Sequence, residues 1–266
     1  MPLNIIERLG MLKTLGRPTI WDYIPLLFTD FTELHGDRYF GDDPAMVGGI
    51  GLFNGEPVTV VSQVRAKDIQ GLTKINFSMP HPEGYRKVLR LIQQAEKFRR
   101  PVICFIDTPG AFCGVGAEER GQGEAIARSL YDFMMLKTPV LSLVLGEGGS
   151  GGALAIGVCD ELAMLENALY SVISPKGCAS ILWKDGSREK EAAELLRITS
   201  EDLRSFGICD HIVAEPDGGA ANNVEFTASG ISAWISSALA RLAAENYDSL
   251  PEKRYQKFRK MGIVRE

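Results

Sequence analysis

Apolar positions along this chain change their rhythm near residue 82. Before that point the spacing is irregular. It predicts a helix over 2–15 and a second over 21–34 (WDYIPLLFTDFTEL), where Pro25 falls near the start and is tolerated. HGDRYFGDDP, 35–44, is polar and reads as a loop. VGGIGLF (47–53) and PVTVVSQV (57–64) read as strands joined at Asn54-Gly55, a hairpin signal. After residue 82 the pattern is regular. Tyr85, Val88, Leu89, Ile92, Ala95 and Phe98 recur at helical spacing and Pro101 stops the run. VICFI (102–106) is a short apolar strand, DTPGAFCGVG (107–116) a loop, and 117–136 a helix opened by Glu118 and Glu119. PVLSLVL (139–145) is the next strand, followed by GEGGSGG (146–152) as a loop and a helix of small residues. Strands follow at 161–166, 168–173 and 208–213. Helices are expected at 174–183 with Ser174 as cap, at 187–196, at 200–206 and near 222–247. Strands alternate with helices, so the class is α/β with crossover units. One domain over 1–266 is the simplest reading, with peripheral helices at both ends and a short helical segment over about 1–35.

Composition narrows the function. Hydrophobic residues are 45% and charged residues 24% of 266, ordinary for a globular protein. The net charge of -5 gives none of the basic excess expected of a nucleic-acid binder. No apolar run reaches the ~18 residues of a membrane helix, and the N-terminus has no signal-like apolar core. Five cysteines, with no CxxC pair, argue against a zinc site and fit reduced thiols in the cytoplasm. Cys113, inside a glycine-rich loop, reads as a small filler or as a reactive thiol.

The unusual feature is LVLGEGGSGGALAIG, 143–157. Gly costs about 0.5–1 kcal/mol against Ala inside regular structure, yet Gly146, Gly148, Gly149, Gly151 and Gly152 crowd one turn. The 107–116 loop has the same strand, glycine loop, helix order. Amides at a helix start have no intrahelical partner, and bare backbone lets a ligand reach them. Two such loops on one sheet can face one pocket. Four readings stand. Gly146, Gly148 and Gly151 match GxGxxG, with Glu166 as a ribose ligand, although the position after other βα elements is unusual. Ser150 is a potential nucleophile, but His35, His81 and His211 are all distant in sequence and read as structural. Paired backbone amides are able to stabilise an enolate or tetrahedral oxyanion without a side-chain base. Finally, the glycines permit tight packing only.

IDTPGAFCGVGAEERGQGEAIA, GEGGSGGALAIGV, YSVISPKGCASILW and MPHPEGYRKVLRL together resemble the alpha subunits of bacterial acetyl-CoA carboxylase carboxyltransferases, and the likeness runs from about residue 19 to the closing RYQKFRKMG. The resemblance implies a crotonase-like ββα spiral. It implies transfer of CO2 from carboxybiotin, held on a biotin carboxyl carrier protein, to acetyl-CoA, giving malonyl-CoA for fatty acid biosynthesis in the cytoplasm. It further implies an α2β2 heterotetramer with a beta chain that carries zinc and most CoA contacts, working beside biotin carboxylase. This chain's lack of CxxC pairs suits the alpha side. Carried onto this sequence, one amide donor comes from Gly110-Ala111-Phe112 and the other from Gly151-Gly152-Ala153. Gly148, Gly149 and Gly114 shape the cofactor's approach, while Asp107 and Glu147 organise loops.

Two departures stand out. The long N-terminal helical segment of many relatives is largely missing, and Phe112-Cys113-Gly114 replaces an expected tyrosine-proline pair before glycine. Arg86, Lys87 and Arg90 on the 82–100 helix read either as a solvated face or as a CoA-phosphate contact across a subunit boundary. The competing function is a self-sufficient acyl-CoA hydratase or hydrolase of the same fold, with Glu118 or Glu119 as the acid. A scaffold role is a third reading.

Overall fold

The computed structural model of the protein describes residues 3–262. The helices are α1 (Ile5–Leu12), α2 (Ile20–Leu27), α3 (Ile69–Lys74), α4 (Pro82–Lys97), α5 (Val115–Glu119), α6 (Gln122–Met135), α7 (Ser150–Leu154), α8 (Pro175–Trp183), α9 (Glu189–Leu196), α10 (Ser200–Ser205), α11 (Val224–Ala243) and α12 (Leu250–Arg259). The strands are β1 (Thr29–Glu33), β2 (Met46–Phe53), β3 (Glu56–Gln63), β4 (Val102–Thr108), β5 (Val140–Gly149), β6 (Glu161–Leu165), β7 (Leu169–Ser171) and β8 (His211–Val213). The sheet order is β1-β2-β3-β4-β5-β6-β8, with β7 added to the far end of β5. Sequence order is therefore nearly spatial order. β1, β2 and β3 pair antiparallel, and every later pair is parallel, as helical crossovers require.

The hairpin at Asn54-Gly55 forms as expected, with φ of 51° and 85°, the two positive values of a type I′ turn. β4 is buried along its whole length, so it reads as a continuous apolar run rather than an alternating one. α4 seats Tyr85, Val88, Leu91, Ile92 and Ala95 against the sheet, each with no exposure. Full burial of one such aliphatic side chain is worth about 1.5–3 kcal/mol, which makes this face the main anchor of the helix. α4 starts with Pro82 at its first position, where the missing N–H is no loss.

Three expectations need correction, and one lies partly outside the described residues. The expected start of the first helix at residue 2 is outside them; the helix runs over Ile5–Leu12, capped by Asn4. The stretch 21–34 is not one helix. It stops at Leu27, Phe28 turns extended, and Thr29–Glu33 becomes an edge strand on β2. The side of β2 that receives it is bare: a methyl group on Gly49 would lie 2.7 Å from the Phe31 ring and 2.3 Å from the Thr32 carbonyl. That docking outweighs the local helical spacing. The helix at 117–136 is broken, because Gly121 takes φ 81° between α5 and α6. Last, GEGGSGG is mostly strand. β5 continues through Gly149, and only Ser150 makes the corner.

Candidate functional site

β4 and β5 are parallel neighbours in register from Val102–Val140 to Ile106–Val144; the register then shifts, and Thr108 pairs with Gly148. Both glycine-rich corners therefore leave the sheet at one edge. The first corner, Pro109 to Gly114, is fixed by side chains. The Thr108 hydroxyl accepts the Gly110 amide at 3.0 Å and lies 2.6 Å from the Ser78 carbonyl. The Phe112 amide donates to Pro80 O at 3.0 Å, and Gln122 Nε2 donates to Pro80 O and Phe112 O, both at 2.9 Å. The Phe112 ring lies on His81 with centroids 4.2 Å apart. Thus the amides of Gly110 and Phe112 are already used. Among the described residues, the Ala111 amide between them has no acceptor.

The second corner is tighter. Ser150 adopts φ 53°, rare for a residue with a Cβ, and turns β5 directly into α7. A helix starting at Ser150 closes its first intrahelical bond from Ala153 to the Gly149 carbonyl, so the Ala153 amide is spent. The amides of Gly151 and Gly152 have no such acceptor. A methyl group on Gly152 would sit 2.4 Å from the Ala111 nitrogen, which places the two corners in backbone contact. The expected donors thus narrow to Ala111 on one side and Gly151 and Gly152 on the other.

The remaining glycines serve packing. A side chain on Gly146 would meet the Arg17 guanidinium at 2.5 Å, on Gly148 the Tyr170 ring at 2.7 Å, and on Gly149 the Pro109 carbonyl at 2.0 Å. Gly114 makes room for the Phe112 ring at 2.6 Å. Gly148 and Gly149 line a narrow cleft of about 40 Å³ with Pro109 and Glu147. The larger space opens at Ser150 and Gly151. It is a cavity of about 470 Å³ with apolar walls from Leu154, Leu162, Ile198 and Phe258. Unlike Gly152, Gly151 has room: a methyl there would meet only Ile126, at 3.8 Å. Neither residues 110–112 nor Gly152 line this cavity; Gly151 does, and the first corner meets the second at Gly152.

Charge beneath the corners is internal. Asp107, at 1% exposure, accepts Arg17 Nη2 at 2.5 Å and the Glu147 amide at 3.2 Å, so it ties the two strand ends together. Burial, then the nearby Asp107 charge, pushes the Glu147 carboxyl up. Arg86, Lys87 and Arg90 form neither a solvated face nor free phosphate contacts. Arg86 bonds Asp37 at 2.8 Å, Lys87 bonds Asp42 at 2.5 Å, and Arg90 reaches the Gly36 carbonyl at 3.2 Å. All three hold the 35–43 loop.

The rival chemistries lose their parts. The GxGxxG reading fails because Arg17 and Tyr170 fill the faces of Gly146 and Gly148, and Glu166 accepts the Glu215 amide at 3.1 Å. A serine hydrolase lacks its base: His35 pairs with Asp42, His81 lies 3.2 Å from Arg120, and His211 is on β8, two strands from β5. Glu118 and Glu119 on α5 are exposed, away from the cavity lining. Among the described residues no cluster of His, Cys, Asp or Glu is arranged to hold a metal, and no helix is long and apolar enough to cross a membrane. Sequence reasoning missed Gln63, Thr108, Gln122 and Arg17. Gln63 left one signal, a polar residue closing an apolar strand.

Comparison with known proteins agrees with this geometry. The family described as acetyl co-enzyme A carboxylase carboxyltransferase-like matches residues 2–262. The acetyl-coenzyme A carboxylase carboxyl transferase subunit alpha of Clostridium acetobutylicum is 55% identical over 256 residues, 96% of this chain and 93% of that one. The same subunit of Shouchella clausii is 56% identical over 260 residues, covering 98% and 80%. Among solved structures, transcarboxylase 12S with methylmalonyl-coenzyme A bound superposes with a TM-score of 0.70 at 19% identity; the match covers 92% of this chain and 45% of that one, so this chain spans less than half of it. The Pseudomonas malonate decarboxylase MdcD-MdcE hetero-dimer gives a TM-score of 0.65 at 17% identity, covering 82% of this chain and 89% of the other. At such identities the structures speak for the fold, which is the crotonase-like one. The identity and coverage of the sequence relatives decide the rest: the chain belongs to the family of acetyl-CoA carboxylase carboxyltransferase alpha subunits.

Proposed function

We propose that this transferase subunit holds the ureido ring of carboxybiotin at the Ser150–Gly151 cavity and stabilises its developing oxyanion with main-chain amides. The observation that carries this reading is a set of three unpaired amides, Ala111 on one corner and Gly151 and Gly152 on the other, with Gly151 lining a cavity of about 470 Å³. An apolar cavity with the Gly151 amide in its wall fits a fused, largely apolar bicycle with one polar urea edge. When bound, biotin supplies the carboxyl group and, once that leaves as CO2, the base that takes a proton from the acyl methyl. The chain's own task is then to orient the urea, exclude water with Leu154, Ile198 and Phe258, and hold negative charge on one oxygen. On this reading the site needs no histidine or acid of its own.

The same reading places the acyl-CoA half-site on a beta partner, which carries the zinc. It makes the assembly an α2β2 heterotetramer, served by the biotin carboxyl carrier protein and biotin carboxylase. A reducing cytoplasm as the setting is supported by five free thiols, two of them wholly buried. Acetyl-CoA as acceptor follows from the relatives' names.

The test is Gly151→Val in the chain assembled with its beta partner, assayed with carboxylated biocytin and acetyl-CoA. The new side chain has space in the fold but narrows the cavity mouth. Transfer should fall at least 10-fold while the melting temperature holds. Full turnover by the variant would refute the cavity as the biotin site, and turnover by this chain alone would refute the half-site assignment.

A further inference from the structure

The two amide-bearing corners come from different strands and touch only through backbone. Beyond the last ladder pair, Thr108–Gly148, what bridges them matters. β3 pairs with β4 only as far as Ser62–Phe105, while on its other side the ladder with β2 runs on to the Val64 amide and the Ala45 carbonyl. The Asp107 amide on β4 thereby loses its strand partner. The Gln63 side chain replaces it. Gln63 Oε1 accepts the Asp107 amide at 3.1 Å, and Gln63 Nε2 donates to the Gly152 carbonyl at 2.7 Å. Gln63 is wholly buried. The Gly152 carbonyl has no helical role, because the Ile156 amide turns to Ala153, and the Tyr85 hydroxyl at 3.4 Å is its other donor.

We infer that Gln63 is a positioning residue for carboxyl transfer: one planar amide spans from the strand end that launches Ala111 to the peptide that carries Gly152, and so fixes the distance between the two oxyanion donors. Only a side chain with an acceptor and a donor in one rigid unit bridges an N–H and a C=O this way. Asn is too short by one methylene, Glu lacks the donor when ionised, and Met matches the length without either bond. The inference rests on the proposed amide-pair reading of the site.

The experiment is Gln63→Met in the complex with the beta partner, with two independent readouts: a crystal structure of the variant, and kcat and KM for acetyl-CoA with carboxylated biocytin. The expected result is a shift of the Ala111 amide relative to Gly152, a fall in kcat of about 10²-fold, the cost of an ångström-scale misplacement, and an unchanged KM. If the two corners keep their separation, Gln63 does not position them and the inference is overturned whatever the rate. If they separate and turnover stays normal, the amide-pair reading fails instead, and the inference fails with it. A loss shared between kcat and KM marks a merely structural role and also overturns it. Should Gln63→Met not fold, Gln63→Glu keeps the bond to Asp107 and removes the donor to Gly152, and it is read by the same two measurements.

Discussion

The two strand-to-helix corners share a sequence pattern but are built by opposite means. The corner after β4 is a loop of about half a dozen residues pinned from outside, through Thr108, Gln122 and the carbonyls of Ser78 and Pro80. The corner after β5 has fewer such ties, chiefly Gln63 and Tyr85 on the Gly152 carbonyl. It is held by close approach, with Pro109, Tyr170 and Arg17 pressed onto bare glycines, and it turns on one strained serine. The difference shows that glycine density marks where backbone is crowded, which is not the same as where backbone is open. Four of the five glycines in the dense run face neighbouring groups. Gly151 faces space, and the free donor opposite comes from an alanine.

The largest effect should follow from closing the contact between the corners. Gly152→Ala forces a methyl to within 2.4 Å of the Ala111 nitrogen, against backbone that has little room to give. Loss of one oxyanion donor typically costs about 10²–10³ in kcat. Steady-state transfer in the reconstituted complex checks this, and a normal rate would mean that the two backbones need not meet. Next comes Thr108→Val, which strips the first corner of its pin and leaves the Gly110 amide and Ser78 carbonyl unsatisfied. The expected cost is about 1–3 kcal/mol of stability. Amide exchange should quicken over 108–112 and stay slow over 149–155; equal loosening of both would erase the contrast.

The smallest effect separates the corners by acid. The first corner leans on α4, whose Lys87 and Arg86 hold the 35–43 loop. Burial pushes the Asp42 carboxyl up, but its bonds to Lys87, Gly36 and His35 more than offset this and hold it at about 2. Because this folded value lies below the ordinary 3.8, the stabilisation is present above pH 3.8 and is lost as pH falls from 3.8 towards 2. Asp42 is partly exposed, so the contribution is about 1 kcal/mol after screening. Urea melts of Lys87→Met at pH 6 and pH 3 should show a smaller acid loss than those of the native chain; equal losses would place the acid sensitivity elsewhere.

Legibility from sequence followed the range of the forces involved. The rhythm of α4 and the apolar runs of β4 and β5 were readable because each is a local pattern serving one buried face. The Asn54-Gly55 turn was readable because its backbone demands those residues. The edge strand at Thr29–Glu33 was hidden, since it exists only through the bare side of β2. The site was half legible. Its two corners and their amides followed from glycine and helix-start chemistry, and the family likeness named the reaction. Which amides are free depended on Thr108, Pro80 and Ala153 bonding partners far away or one turn on. The partners of Arg86, Lys87 and Arg90 were hidden for the same reason: they lie on the 35–43 loop, 45 to 55 residues earlier, and come near only in the folded chain.

Arg17 reaches from the first twenty residues to cross Gly146 and meet Asp107, with both side chains nearly dry, at 8% and 2% exposure. The segment around Arg17 is thereby stitched under the ends of β4 and β5. A deletion ending past Arg17 would maroon a carboxylate in a low-dielectric interior, an outcome that typically costs about 3–5 kcal/mol. Fusion partners and purification handles belong ahead of Asn4, because the segment behind it is as much foundation as fringe.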